Sequence, residues 1–253
     1  MTLDISLPRS WADLSQKQLR IALATVFNDR LTPFDARLLL ALRFAGLRKL
    51  PGHTNAFRLR RKGQPVQFLI ISDRELQSLA DAMRFVSAPP ESPVRPDHID
   101  GARAIDPMLE ALDFESFLAA DCLYQGFVNA VDKKASVDLL ARLSFCLWPS
   151  RLPERILLRR RLRRWRPAAA LMWFSAAKTG LARRYPNFLR PAGAGQPSFG
   201  QSMRAAVDAQ LRALTRGDLT KEQAIRHTPC HRALAELDAL AAEAEDLRKR
   251  LNR

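Results

Sequence analysis

Cysteine, tyrosine and histidine are scarce in this chain: three, two and four among 253 residues. Cys122, Cys146 and Cys230 are widely spaced and odd in number. That argues against a disulfide framework and for a reducing, cytoplasmic setting. Glycine is sparse too, and Gly193-Ala194-Gly195 is not followed by Gly-Lys-Ser/Thr, so no phosphate-cradling loop is expected. No run approaches the roughly 18 apolar residues of a membrane helix, and Ala168–Phe174 near the middle is far shorter. Met1-Thr2-Leu3-Asp4-Ile5 has neither the basic nor the apolar region of a signal peptide, so none is expected. His227-Thr228-Pro229-Cys230-His231 is the densest group of metal-type ligands. With His53 and His98 isolated, it lacks the four convergent donors of a zinc site. There is no Gly-x-Ser-x-Gly and no recognisable His–Cys spacing. No catalytic residue, metal or cofactor is therefore expected, and the chain reads as a non-enzyme.

Positive charge is what the chain has in excess. Lys and Arg number 41 against 26 Asp and Glu, a formal net charge of +15. Hydrophobic residues at 47% and charged residues at 26% are an ordinary globular balance, which excludes a wholly disordered chain. The length suits one large domain or two small ones. Residues 1–150 carry a net +2 and residues 191–253 another +2, while 151–190 alone carry +11. That arm is densest at Arg159, Arg160, Arg161, Arg163, Arg164 and Arg166, with Trp148, Trp165 and Trp173 nearby. A second cluster, Arg43 to Lys62, contains no acid at all. Against both stands an acidic stretch, Asp81 to Asp138, with 11 acids and 5 bases. Such polarity has two readings. The arm meets a polyanion or an acidic protein surface, or it pairs with the chain's own acidic stretch.

Local signals predict a mainly α-helical fold with one small β-hairpin. Ser15 can cap a helix from Gln16, with Leu19, Leu23 and Val26 on one face. Thr32-Pro33 opens a second helix that Gly46 ends. Phe57 and Leu59 alternate with Arg58 and Arg60, turn at Lys62-Gly63-Gln64, and return through 65–71 as a hairpin. Two strands are marginal alone, so the hairpin should pack on helices or pair with another strand. Ser72 and Glu75 form a capping box for a third helix. The prolines between Pro89 and Pro96 impose an extended connector. Further helices are predicted over 113–129, 135–147, 153–164, 168–185, 199–215 and 229–252. The expected organisation is 1–96, N-terminal helices plus hairpin, and 97–253, a helical region bearing the basic arm 151–190.

Two apolar surfaces stand out as partner-binding candidates. One is the aromatic helix with Phe114, Phe117 and Tyr124. The other is the last helix, where Leu237, Leu240, Ala244, Leu247 and Leu251 repeat as an a/d seam over two heptads. Such a seam packs on the chain's own helices or takes a partner helix in a groove. The same C-terminal region has loosely helix-turn-helix spacing. Its would-be recognition helix carries Glu236, Asp238, Glu243, Glu245 and Asp246, which phosphate disfavours.

The order of several short motifs resembles phage and prophage tail assembly chaperones. Leu7-Pro8-Arg9-Ser10-Trp11-Ala12-Asp13-Leu14-Ser15-Gln16-Lys17-Gln18 is similar to their Pro-x-Ser-Trp-x-Glu-Leu-Thr-x-x-Gln opening, with Asp13 where Glu is usual. Leu112-Asp113-Phe114-Glu115-Ser116-Phe117-Leu118, then Leu139-Leu140-Ala141-Arg142-Leu143 and Trp148-Pro149, resemble two helix motifs of the family. Leu214-Thr215-Arg216-Gly217-Asp218-Leu219-Thr220-Lys221 resembles the terminal turn before a Leu-rich helix. The arm 151–190 departs from the pattern. The resemblance implies a cytoplasmic, non-enzymatic role in holding the tape-measure protein, or another helical tail protein, until the tail polymerises. It gives Trp11, Gly217 and Asp218 structural parts and no catalytic residue. Self-association is a further mode, no membrane is involved, and the less favoured alternative is nucleic-acid binding through 159–166.

Overall fold

The computed structural model describes residues 6–60, 65–150, 165–189 and 199–252, with the backbone alone at 133–134 and 199–204. The protein is mainly α-helical with small antiparallel sheets. Helix α1 (Gln16–Val26) begins at Ser15, whose hydroxyl accepts from Gln18 N while the Gln18 side chain returns to the Ser15 backbone. Helix α2 (Pro33–Phe44) has Thr32 as its cap and Pro33 in the first turn, where a missing N–H costs nothing. Gly46 at φ +76° then swings the chain directly into a strand. A Cβ there would stand 3.3 Å from the Arg60 carbonyl oxygen.

Strands β1 (Leu47–Lys49), β2 (Ala56–Leu59) and β3 (Gln67–Ile70) form one antiparallel sheet in that order. The β2–β3 hairpin lies where periodicity placed it, and β1 is a third strand that periodicity missed. Leu47, Phe57 and Leu59 point to one face and are buried with Ala45 and Ile71 under helix α3 (Asp73–Ala82). The Ser72–Glu75 capping box opens α3 as predicted. A second hairpin, β4 (His98–Ile99) with β5 (Ala102–Arg103), turns on Asp100-Gly101. Both residues have positive φ, as a two-residue I′ turn requires.

The rest is helical: α4 (Phe114–Val128), α5 (Lys133–Leu147), α6 (Trp165–Arg184), α7 (Phe199–Thr215), the short α8 (Glu222–Arg226) and α9 (Cys230–Leu251). The helix expected over 153–164 lies outside the described residues. Residues from both expected regions build one core. Trp11, Leu19, Leu23 and Leu40 share it with Leu109, Phe114, Trp148 and Trp173. Indole N–H groups pin the proline-rich connector and its continuation. Trp11 Nε1 donates to Ala88 O at 2.9 Å, Trp148 Nε1 to Pro96 O at 2.9 Å and Trp173 Nε1 to Pro107 O at 2.8 Å. A connector that cannot form helix bonds thus has its carbonyls satisfied by the core it crosses.

Candidate functional site

The fold divides the sequence-derived candidates sharply. Phe114 and Phe117 are buried, with rings 6.5 Å apart, and Tyr124 is half-buried against Phe174 at 5.3 Å. The aromatic helix therefore faces the protein's own core, and its Phe114/Phe117 pair presents no exposed surface. The physical reason is that α4 is apolar around most of its circumference, so it packs between neighbours rather than offering one face. The seam on α9 splits instead. Leu237 is buried beside Ala233 and Leu234, and Leu240 is half-buried. Leu247 and Leu251, farther along the same stripe, are 59% and 86% exposed.

Arg159, Arg160, Arg161, Arg163 and Arg164 lie outside the described residues. Arg166, counted with them as a surface cation, is instead 1% exposed. Its Nε donates to Ser144 Oγ at 3.1 Å and its Nη1 stands 3.6 Å from Asp100 Oδ2. The guanidinium lies 4.8 Å over the Phe145 ring. Burial pulls its pKa below the usual guanidinium value, and Asp100 opposes that pull. Trp148, Trp165 and Trp173 are buried as well, so none is an exposed stacking platform. Lys178 pairs with Asp121, and Arg184 with Glu110 at 3.8 Å. Three of the four described cations of the basic arm, Arg166, Lys178 and Arg184, thus pair with the acidic stretch.

The residues of the family-like motifs serve local structure. Trp11 is core, Gly217 takes φ +82° at the turn after α7, and Asp218 accepts from the backbone and hydroxyl of Thr220. That bonding holds the Asp218 carboxyl below its ordinary range. The His/Cys group disperses. His227 lies 3.3 Å from Asp113, and Cys230 Sγ donates to Leu109 O at 3.0 Å. His231 Nε2 donates to the Met108 carbonyl at 2.8 Å, and the Tyr185 hydroxyl stands 2.9 Å from its Nδ1 and 3.2 Å from its carbonyl oxygen. Burial pushes the Cys230 thiol up to about 12, so it is no nucleophile. Among the described residues no three His, Cys, Asp or Glu side chains are placed to hold a metal ion.

One surface concentrates features that the core does not use. A groove of about 830 Å³ opens between α1, the end of α2 and the β1–β2 strands. Its rims carry Lys17, Arg43, Arg48, Lys49, Arg58 and Arg60, and no carboxylate among the described residues lines it. Ile21, Leu39, Leu42, Phe44 and Leu47 supply apolar wall. Leu39 is 46% exposed, although it lies mid-helix between the buried Ala36 and Leu40. Arg48 and Arg58 face each other across the β1–β2 ladder. Phe68 of β3 continues that row and, with Ile70, is exposed on an edge strand.

No protein-family model, curated protein or solved structure matches the chain.

The groove has the chemistry of binding. Its titratable residues are all cations, so it offers no acid–base pair among the described residues. The acid-free run from Arg43 to Lys62 was its visible trace in the sequence. The α1 wall, with Lys17 and Ile21, has no such trace, because it arrives by packing of α1 on α2.

Proposed function

We propose that this is a non-enzymatic phage tail assembly chaperone or tail-assembly accessory. In this reading it works in the host cytoplasm, holding a helical tail protein, the tape-measure protein foremost, before the tail polymerises. The observation that carries the reading is the open end of α9. Its apolar stripe runs from the buried Leu234 and Leu237 to the exposed Leu247 and Leu251. An apolar row that leaves its own core is suited to continue into a partner helix. The order of the family-like motifs supports the same reading. No helix among the described residues is long and apolar enough to cross a membrane.

The test is co-expression with the product of a neighbouring gene that encodes a very long helical protein. The chaperone reading expects that product to become soluble and to co-purify. It expects Leu247→Gln/Leu251→Gln to abolish the rescue while leaving the chaperone folded. A partner that stays insoluble with the wild-type protein present overturns the reading, as does abundant protein in purified particles. The nucleic-acid alternative retains Arg159 to Arg164 and loses Arg166, whose guanidinium is committed to Ser144 and Asp100.

A further inference from the structure

We propose that the groove between α1, α2 and the β1–β2 strands captures an amphipathic helix of a partner protein, one whose apolar stripe is flanked by carboxylates. The inference deepens the chaperone reading and rests on it only for the partner's identity. Four observations converge on this occupant.

The first is uncompensated charge. Lys17, Arg43, Arg48, Lys49, Arg58 and Arg60 line one groove, and none makes a hydrogen bond or ion pair with a side chain among the described residues. Several cations outside the groove are paired, the half-buried ones among them. Arg95 meets Asp97 at 2.7 Å, Arg226 meets Glu115 and Glu222, and Arg142 meets Asp138 at 2.9 Å. The second is register. Arg48 and Arg58 stand directly opposite on one face of the sheet, an arrangement that costs stability while no anion lies between them.

The third is the apolar surface between the cations. Ile21, Leu39 and Leu42 are aliphatic, and Phe44 is the groove's only aromatic lining residue among those described. Single-stranded nucleic acid prefers aromatic faces on which successive bases stack, which this lining does not supply. A helix with leucines one turn apart would cover the aliphatic strip and bring its flanking carboxylates to the rims. The fourth is that no acid among the described residues lines the groove. The described acids from Asp97 to Asp121 are engaged elsewhere: Asp97, Asp100, Glu110, Asp113, Glu115 and Asp121 pair with Arg95, Arg166, Arg184, His227, Arg226 and Lys178, and Asp106 accepts from the backbone of Met108, Glu110 and Ala111. The open end of α9 from a second copy fits poorly, because Arg248, Lys249 and Arg250 follow its acids.

The probe is a labelled synthetic helix of about 18 residues, long enough to hold its conformation, with leucines along one face and glutamates on both flanks. Fluorescence anisotropy should show saturable binding to the full chain that weakens as salt is raised from about 50 to about 300 mM. The same peptide with lysine for glutamate should not bind. Arg48→Glu/Arg58→Glu should weaken binding by at least about tenfold. Leu39→Gln, which keeps every charge, should weaken it by roughly threefold to tenfold. Both sites are surface-exposed or half-exposed, so circular dichroism should show an unchanged fold.

No binding of the glutamate peptide overturns the proposal, and so does binding that neither variant weakens. Tighter binding of a thymidine oligonucleotide, lost in Arg48→Glu/Arg58→Glu, reassigns the groove to nucleic acid and overturns it. A concentration-dependent dimer lost in the same variant reassigns it to a second copy. Peptide capture by a protein that fails to rescue the long helical tail protein keeps the groove and removes the chaperone reading. Rescue that survives the groove variants does the reverse.

Discussion

A guanidinium taken out of water destabilises a fold by several kcal/mol unless its charge and its donors are met. Arg166 has them met in part. Ser144 takes Nε, Phe145 receives the cation on its ring face, and Asp100 supplies a carboxylate at 3.6 Å. Nη2 has no hydrogen-bond partner among the described residues. Asp100 itself sits at φ +50°, where Asn is also tolerated. Asp100→Asn therefore keeps the turn and removes only the charge. It should lower stability by about 1–2 kcal/mol in urea unfolding, less than for a fully buried pair because the Asp100 side chain is 42% exposed. Arg166→Met removes the cation, the orphan donor and the need for a counter-charge together. It should lie within about 1 kcal/mol of wild type, or above it. An Arg166→Met variant several kcal/mol less stable than Asp100→Asn would mean that the guanidinium stabilises the core outright.

At the scale of elements, α9 is two helices in one. Its first half carries Cys230, Ala233, Leu234 and Leu237 into the core, and its second half carries Leu247 and Leu251 outward. Leu237→Ala should cost about 2–4 kcal/mol, because it opens a cavity in a packed region. Leu251→Ala should change stability by less than about 0.5 kcal/mol. Thermal melts of the two variants separate structural from available leucines, and equal losses would mean that α9 is packed along its whole length. Both leucines obey the same heptad, so sequence spacing alone could not divide them. Spacing reports the face of a helix, while burial depends on where the neighbouring helices stop. The helix caps at Ser15, Thr32 and Ser72 were legible because capping is settled within four residues. The reading that the basic arm pairs with the acidic stretch is met where the arm is described, with Arg166, Lys178 and Arg184 beside Asp100, Asp121 and Glu110. Strand β1 was not legible, because three residues carry no period and their pairing to β2 is non-local. The Asp100-Gly101 turn was legible in principle, since Asp-Gly between apolar residues is a hairpin signal.

For the molecule as a whole, the formal charge of +15 is less a property of its surface than a sum of paired and unpaired parts. Its stability should respond to pH at both ends, for different reasons. On the acid side, the hydrogen bond from Ser116 holds the Asp113 carboxyl low, and the Ser72 bonds do the same for Glu75. Their folded pKa values lie below the unfolded ones, near 4. These groups therefore favour folding above that range, and the benefit is lost as pH falls through the folded values. Protonating carboxylates also strips neutralisation from a cationic chain. The urea midpoint should thus fall below about pH 4, with salt restoring part of it. On the alkaline side the sign is opposite. Cys230 is wholly buried and its thiol is pushed up to about 12, whereas an unfolded cysteine ionises near 8.5. Between those values the unfolded chain sheds a proton that the folded one keeps, so stability declines as pH rises. At pH 9.5 the loss from this one group should be about 1 kcal/mol relative to pH 7.5. Cys230→Ser keeps a donor within reach of the Leu109 carbonyl and does not titrate there. The variant should start from a lower midpoint at pH 7.5 and show a flatter decline to pH 9.5 than wild type. An unchanged slope would place the alkaline loss on other groups, with Cys122, also raised by burial, the next to replace.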